Sequence, residues 1–309
     1  MSIQTRKVGV IGVGRVGSHV ASALICRAVC DEIVLIDTDQ NKVASHGQDL
    51  ADSTVLATHT IHVKVGNYSD LKDADIVVIS ACGQIFAENR LDELAGNLPV
   101  VNSIIENLNA IDYQGMIVSI TNPCDVIACH ISNHTKANVI GTGTLLDSSR
   151  FISALSRETG IAPKSIQAYC LGEHGDSQVL SFSSVSLMGK SLAELETEKP
   201  TIFGPIDRDA VTTEVVKAGW KMVTGKGATE FGIGHVAAEL VKTILHDEKR
   251  ILPCSTRLNG EYGQEGLYAS VPCVVGANGV EYTMPPTISE DEKAAFIASC
   301  DYMRQFIPA

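Results

Sequence analysis

The chain has 309 residues, enough for two domains of ordinary size with substantial cores. Its formal net charge of -12 argues against nucleic acid or an anionic membrane as partner, because both are held through Lys and Arg patches. A small anionic substrate remains possible, since it needs only a few local cations.

The amino terminus passes from Met1 to Lys7 directly into a strand-like run, with no apolar leader and no small-residue cleavage site, so no signal peptide is expected. Apolar stretches are broken well before the ~18 residues that a membrane span needs. A cytoplasmic location follows as an expectation. The cysteines at 26, 30, 82, 124, 129, 170, 254, 273 and 300 are scattered and lack any Cys-x-x-Cys spacing, which predicts reduced, mostly buried thiols.

From residue 7 to 142, short β-branched runs at 8–11, 33–36, 75–80, 116–121 and 138–141 alternate with amphipathic segments at 16–29, 41–52, 100–113 and 126–134. This alternation predicts a doubly wound parallel sheet. After Gly143 the pattern changes. A helix over 147–159 is followed by strands at 166–170 and 178–185, helices at 208–224 and 232–246, strands at 250–255 and 267–275, and a last helix opened by Ser289-Glu290-Asp291-Glu292. Two domains are expected, 1–143 and 144–309, sharing a broad interface because no Pro-rich or low-complexity tether separates them.

Gly12-Val13-Gly14-Arg15-Val16-Gly17 has the Gly-x-Gly-x-x-Gly spacing between a predicted strand and a predicted helix. There Gly12 makes the tight turn, Gly14 lets a pyrophosphate approach the backbone, and Gly17 lets helix and strand pack closely. Asp37 closes the next predicted strand, where a carboxylate accepts hydrogen bonds from ribose hydroxyls and repels a ribose phosphate. NAD is thus expected as cofactor in preference to NADP. The alternative is an ordinary turn beside a solvated strand end.

Downstream, Leu171-Gly172-Glu173-His174-Gly175-Asp176-Ser177 places an imidazole, able to exchange a proton near neutral pH, among small and acidic residues. Asp147 and Arg150 in Leu146-Asp147-Ser148-Ser149-Arg150 lie three apart, so on a helix they share a face. Spacing alone would allow a simple helical ion pair. Together these segments resemble the L-lactate and L-2-hydroxyacid dehydrogenase family, and the likeness runs from Lys7 to about Tyr302.

The resemblance implies a Rossmann cofactor domain followed by an α+β substrate domain. It makes His174 the acid and base, Asp147 its partner, Arg150 the carboxylate-binding residue, and Arg90 the cation of a loop that closes over the substrate and polarises its carbonyl. It also assigns Thr229 and Asn122 to the substrate pocket, and Val16, Asn122, Thr142 and Ile233 to the cofactor. Gln84 falls where lactate dehydrogenases carry the glutamine that selects a short uncharged side chain and malate dehydrogenases an arginine; if the loop is one residue short, the selector moves to Ile85 or Phe86. Gly172–Gln178 looks like L-2-hydroxyisocaproate dehydrogenases, whereas 270–276 resembles mainstream lactate dehydrogenases, so lactate/pyruvate is favoured, with bulkier 2-oxo acids as the alternative and then malate and a non-catalytic NAD-binding protein. Ile152 and Gln167 stand where enzymes activated by fructose 1,6-bisphosphate have an arginine and a histidine, so that activation is not expected. The family likeness further implies a homotetramer or a homodimer.

Overall fold

The computed structural model describes residues 5–83 and 87–308. Six parallel strands come first: β1 (Lys7–Ile11), β2 (Glu32–Ile36), β3 (His62–Val65), β4 (Ile76–Ile79), β5 (Met116–Ser119) and β6 (Asn138–Gly141). Between them run helices α1 (Arg15–Cys26), α2 (Gln40–Thr54), α3 (Leu94–Ala110) and α4 (Cys124–His134). Strand alternation explains why both sheet faces are covered. Val8, Val10, Ile33, Leu35, Ile76 and Val78 point into one core with Val20 and Leu24 of α1, while Ile11, Val34, Val77 and Ile79 point into another with Ile104 and Leu108 of α3 and Ile127 of α4.

The second half contains α5 (Leu145–Thr159), two short antiparallel pairs formed by β7 (Cys170–Leu171) with β8 (Val179–Leu180) and by β9 (Ser186–Leu187) with β10 (Lys190–Ser191), and helices α6 (Leu192–Glu198), α7 (Pro200–Phe203), α8 (Arg208–Lys226) and α9 (Phe231–Leu245). Strands β11 (Arg250–Asn259), β12 (Glu265–Gly276) and β13 (Gly279–Thr283) and helix α10 (Glu290–Arg304) complete it. One nine-stranded sheet runs through both halves in the order β13-β12-β11-β6-β5-β4-β1-β2-β3. Within the sheet the halves pair at Ser255 of β11 and Gly141 of β6, antiparallel, while residues of α1 and α9 pack into one core that draws on both halves.

The expected helices are present with ends shifted by a few residues. The expected strands at 166–170 and 178–185 are mostly irregular chain, reduced to the β7–β8 pair and a single bridge between Gln167 and Ser186. A turn at Phe182–Ser184 interrupts the second of them, and another at Pro163–Ser165 leads directly into the first. Strands β3 and β13 escaped the pattern because both lie largely open to solvent and carry charged or polar side chains in place of an apolar run.

Order reverses at β1, which pairs with β2 on one side and β4 on the other, leaving a crevice beyond their carboxyl ends. The glycines sit at its floor. Gly12 has φ +89° and packs on the Ala81 backbone, and a Cβ at Gly17 would collide with the Gly12 carbonyl oxygen. Because that clash is with backbone, Gly17→Ala is expected to cost ~1–3 kcal/mol of unfolding free energy. Gly14→Ala, with nothing within 4 Å of its would-be Cβ, should melt like the parent protein; equal melts for both variants would sink this account of the turn.

Candidate active site

A groove of about 660 Å³ opens at the crevice, lined by Gly12, Gly14, Asp37, Lys42, Ser80 and Cys82 among others. Its form suits a dinucleotide: the open face at Gly14 and the start of α1 meet a phosphate, and the Asp37 carboxylate stands beside the pocket wall. That carboxylate also serves the loop itself. Its Oδ2 accepts from the Val13 amide at 2.8 Å and lies 3.2 Å from Lys42 Nζ, while Oδ1 accepts from the Asp39 amide at 2.9 Å. Oδ1 retains a lone pair for a further donor.

Ser80 and Cys82 also border a second cavity of about 160 Å³, walled by Val16, Asn122, Thr142 and Ile233 and reached by Arg90, Arg150, His174 and Thr229. The structure therefore brings these predicted residues to one place. Asn122 precedes Pro123 through a cis peptide, and its carbonyl accepts from the Asn97 side chain at 2.7 Å. The Thr229 hydroxyl is buried with no partner, a donor left for whatever fills the cavity. Gln84, Ile85 and Phe86 lie outside the described residues.

Asp147 is 1% exposed and joins the chemistry together. It occupies the first turn of α5, whose positive end favours a carboxylate. Its Oδ2 lies 2.5 Å from His174 Nδ1, and its Oδ1 accepts from Arg150 Nη1 at 2.8 Å. Burial alone would raise this carboxyl, but the His174 ring and its hydrogen bond, with Arg150 and Arg90, hold it down at about 2. The ion pair that spacing alone allowed is real, and it is built into the cavity wall. A ring held at Nδ1 leaves Nε2 for proton transfer.

Arg90 begins a short 3₁₀ turn that leads into α3. Asn89 fixes it twice, accepting from the Leu91 amide and donating to the Tyr302 hydroxyl, each at 3.0 Å. Among the described residues, no group of three or more His, Cys, Asp or Glu side chains is arranged to hold a metal ion. All the cysteines except Cys26 and Cys82 are buried.

Two neighbours of the site were not anticipated. Trp220, the sole tryptophan, stands on α8 beside Arg90 and His174. Asp125, 2% exposed, sits in the first turn of α4 and accepts from the His174 backbone amide at 2.7 Å through Oδ2. Two buried carboxylates thus grip His174, one by its ring and one by its backbone. An acid within the apolar run 124–131, just after Asn122-Pro123, was the available signal. Burial pushes the Asp125 carboxyl from 3.8 up to about 6, and the nearby charge of Glu173 adds to the rise.

Between about pH 4 and 6 the native protein therefore holds a proton at Asp125 that the unfolded chain has lost, so this residue's contribution to stability falls as pH rises through that window. Asp125→Asn keeps an oxygen for the His174 amide and removes the titration. Urea unfolding across pH 4 to 7 should show the variant gaining on the parent with rising pH, and parallel curves would refute it.

The family model described as lactate/malate dehydrogenase, NAD binding domain, matches residues 6–141, and that described as lactate/malate dehydrogenase, alpha/beta C-terminal domain, matches 144–307. L-lactate dehydrogenase of Fusobacterium nucleatum subsp. nucleatum is 40% identical over 308 residues, covering 99% of this chain and 97% of that protein. The crystal structure of the minor L-lactate dehydrogenase from Enterococcus mundtii in its ligands-bound form superposes with a TM-score of 0.93 at 33% identity, covering 98% of each chain. Malate dehydrogenase of Cryptosporidium parvum also superposes, with a TM-score of 0.88 at 27% identity and 98% of each chain covered, so backbone shape does not separate the two activities. Both domains match and the likeness spans the chain from end to end: it belongs to the lactate/malate dehydrogenase family of NAD-dependent oxidoreductases.

Proposed function

We propose that the protein is an L-2-hydroxyacid dehydrogenase acting on a monocarboxylate, with L-lactate and pyruvate as its pair, residues 1–143 serving the cofactor and 144–309 the substrate. The observation that carries this reading is the Asp147 carboxylate shared between His174 and Arg150 at the wall of the cavity. NAD supplies the hydride acceptor or donor when bound. Gly12, Gly14 and Asp37 hold its adenosine and phosphate end, and Val16, Asn122, Thr142 and Ile233 the other.

The chain's own residues do the remainder. Arg150 uses the guanidinium hydrogens not given to Asp147 to bind the substrate carboxylate, a planar match that lysine does not offer. Arg90 polarises the C2 carbonyl, and Thr229 offers its unpartnered hydroxyl to the bound substrate. His174 gives a proton to the carbonyl oxygen in reduction and takes it back in oxidation, while Asp147 holds the ring and offsets the charge of the imidazolium.

Charge around the cavity favours a monocarboxylate. Among the described residues lining the cavity and its adjoining corner, the further cation beside Arg90 and Arg150 is Lys217, already 3.1 Å from Glu88 and 3.7 Å from Asp176. A second substrate carboxylate would meet two acids there. The relatives named L-lactate dehydrogenase support the same choice. We further propose a cytoplasmic homotetramer or homodimer, in which a second copy covers exposed apolar side chains such as Val55 and Leu56; no described helix is long and apolar enough to cross a membrane.

Replacing His174 by Asn removes the proton donor and leaves the cofactor groove intact, so turnover should fall at least ~100-fold with NADH binding near normal by fluorescence titration. Near-normal turnover would refute the assignment. For the side-chain selector, Gln84→Arg adds a cation suited to a second carboxylate and ill suited to a methyl group. The oxaloacetate/pyruvate ratio of kcat/KM should then rise at least ~tenfold. An unchanged ratio with both activities intact would move the selector to Ile85 or Phe86.

A further inference from the structure

Helix α8 passes the reactive corner with a glycine in its interior. Gly219 is buried, and its φ is not in the left-handed region, so nothing in the backbone calls for glycine there. In a helix interior glycine costs ~1 kcal/mol relative to alanine. A local gain must offset that cost. A Cβ built at Gly219 would collide with Nη2 of Arg90, and would lie 3.9 Å from Nη1 of Arg150, an ordinary contact. The guanidinium of Arg90 therefore occupies the space that a side chain at 219 would take.

The same helix touches the Arg90 segment at a second point. Lys217 Nζ lies 3.1 Å from Glu88 Oε1 and 3.7 Å from Asp176 Oδ2, tying the residue two before Arg90 to the residue two after His174. Trp220 lines the cavity next to both Arg90 and His174. One turn of α8, residues 217–220, thus forms the surface on which the arginine rests.

We infer that Gly219 is a positioning residue for Arg90: its missing side chain is the seat that sets the guanidinium against α8 at the edge of the substrate cavity. This rests on the reading of Arg90 as the group that polarises the carbonyl. The atom displaced by a methyl at 219 is the tip of a flexible side chain, so the fold has an inexpensive escape and catalysis does not. Arg150 keeps its place, which separates the effect on the chemical step from the effect on carboxylate binding.

The test is Gly219→Ala in the parent and in an Arg90→Lys background, whose ammonium lacks the colliding nitrogen. Thermal melting, NADH titration and the single-turnover rate of NADH oxidation are read with pyruvate and with 2-oxoisocaproate. In the parent, the single-turnover rate should fall at least ~10-fold with both substrates, while pyruvate KM changes less than ~3-fold, melting temperature holds or rises, and NADH affinity holds. In the Arg90→Lys background the same substitution should cost less than ~3-fold. An unchanged rate, an equal loss in both backgrounds, a loss confined to 2-oxoisocaproate, or a lowered melting temperature would each overturn the proposal. Should Arg90→Lys alone keep the full rate, the role of Arg90 itself falls, an outcome distinct from failure of the seat.

Discussion

The carboxylate of Asp147 is the interaction on which the site depends. A charge this deeply buried is costly unless both of its oxygens are matched, and removing either partner would leave it uncompensated. His174 and Arg150 supply the two partners from different directions, the first from the chain beyond β7 and the second from the next turn of α5. The imidazole and the guanidinium are thereby held at a fixed relation by one small group. The helix end beneath Asp147 contributes to its ionised state, so the geometry and the electrostatics have the same origin.

Placing that group requires the two halves of the chain to meet closely, and the shared sheet provides the meeting point. Strand β6 leads through Thr142 and Gly143 into α5, while β11 pairs with β6 at Ser255. Gly143, at φ +49°, admits no side chain because Ser255 and Ser270 of the hairpin press against it. The Thr144 amide then donates to Ser270 Oγ at 3.0 Å and its hydroxyl hydrogen-bonds the Cys170 carbonyl. These contacts hold the start of α5 between the cofactor crevice and the segment bearing His174, which is why the cavity walls draw on both halves.

Much of this was legible in the sequence. Strands buried on both faces read as apolar runs, and glycines at 12, 14 and 17 carried their reasons in their spacing. His174, Asp147 and Arg150 were found through the family likeness, because chain separation alone says nothing about proximity in space. What stayed hidden depends on tertiary context. β3 and β13 are held by pairing to neighbours rather than by apolar side chains. Asp125 hides within an apolar helix, and its meaning appears only once its carboxylate is seen at the His174 amide. Gly219 in isolation reads as a weak point in a helix; its use is visible only when Arg90 lies over it.

The shared carboxylate also explains how an acidic chain accommodates an acidic substrate. Asp147 is balanced by Arg150 on one oxygen and by the imidazole on the other. Arg150 gives Nη1 to Asp147 and keeps further guanidinium hydrogens for an anion in the cavity that it lines. Cation and imidazole are thus presented to one cavity by a carboxylate that is itself only 1% exposed.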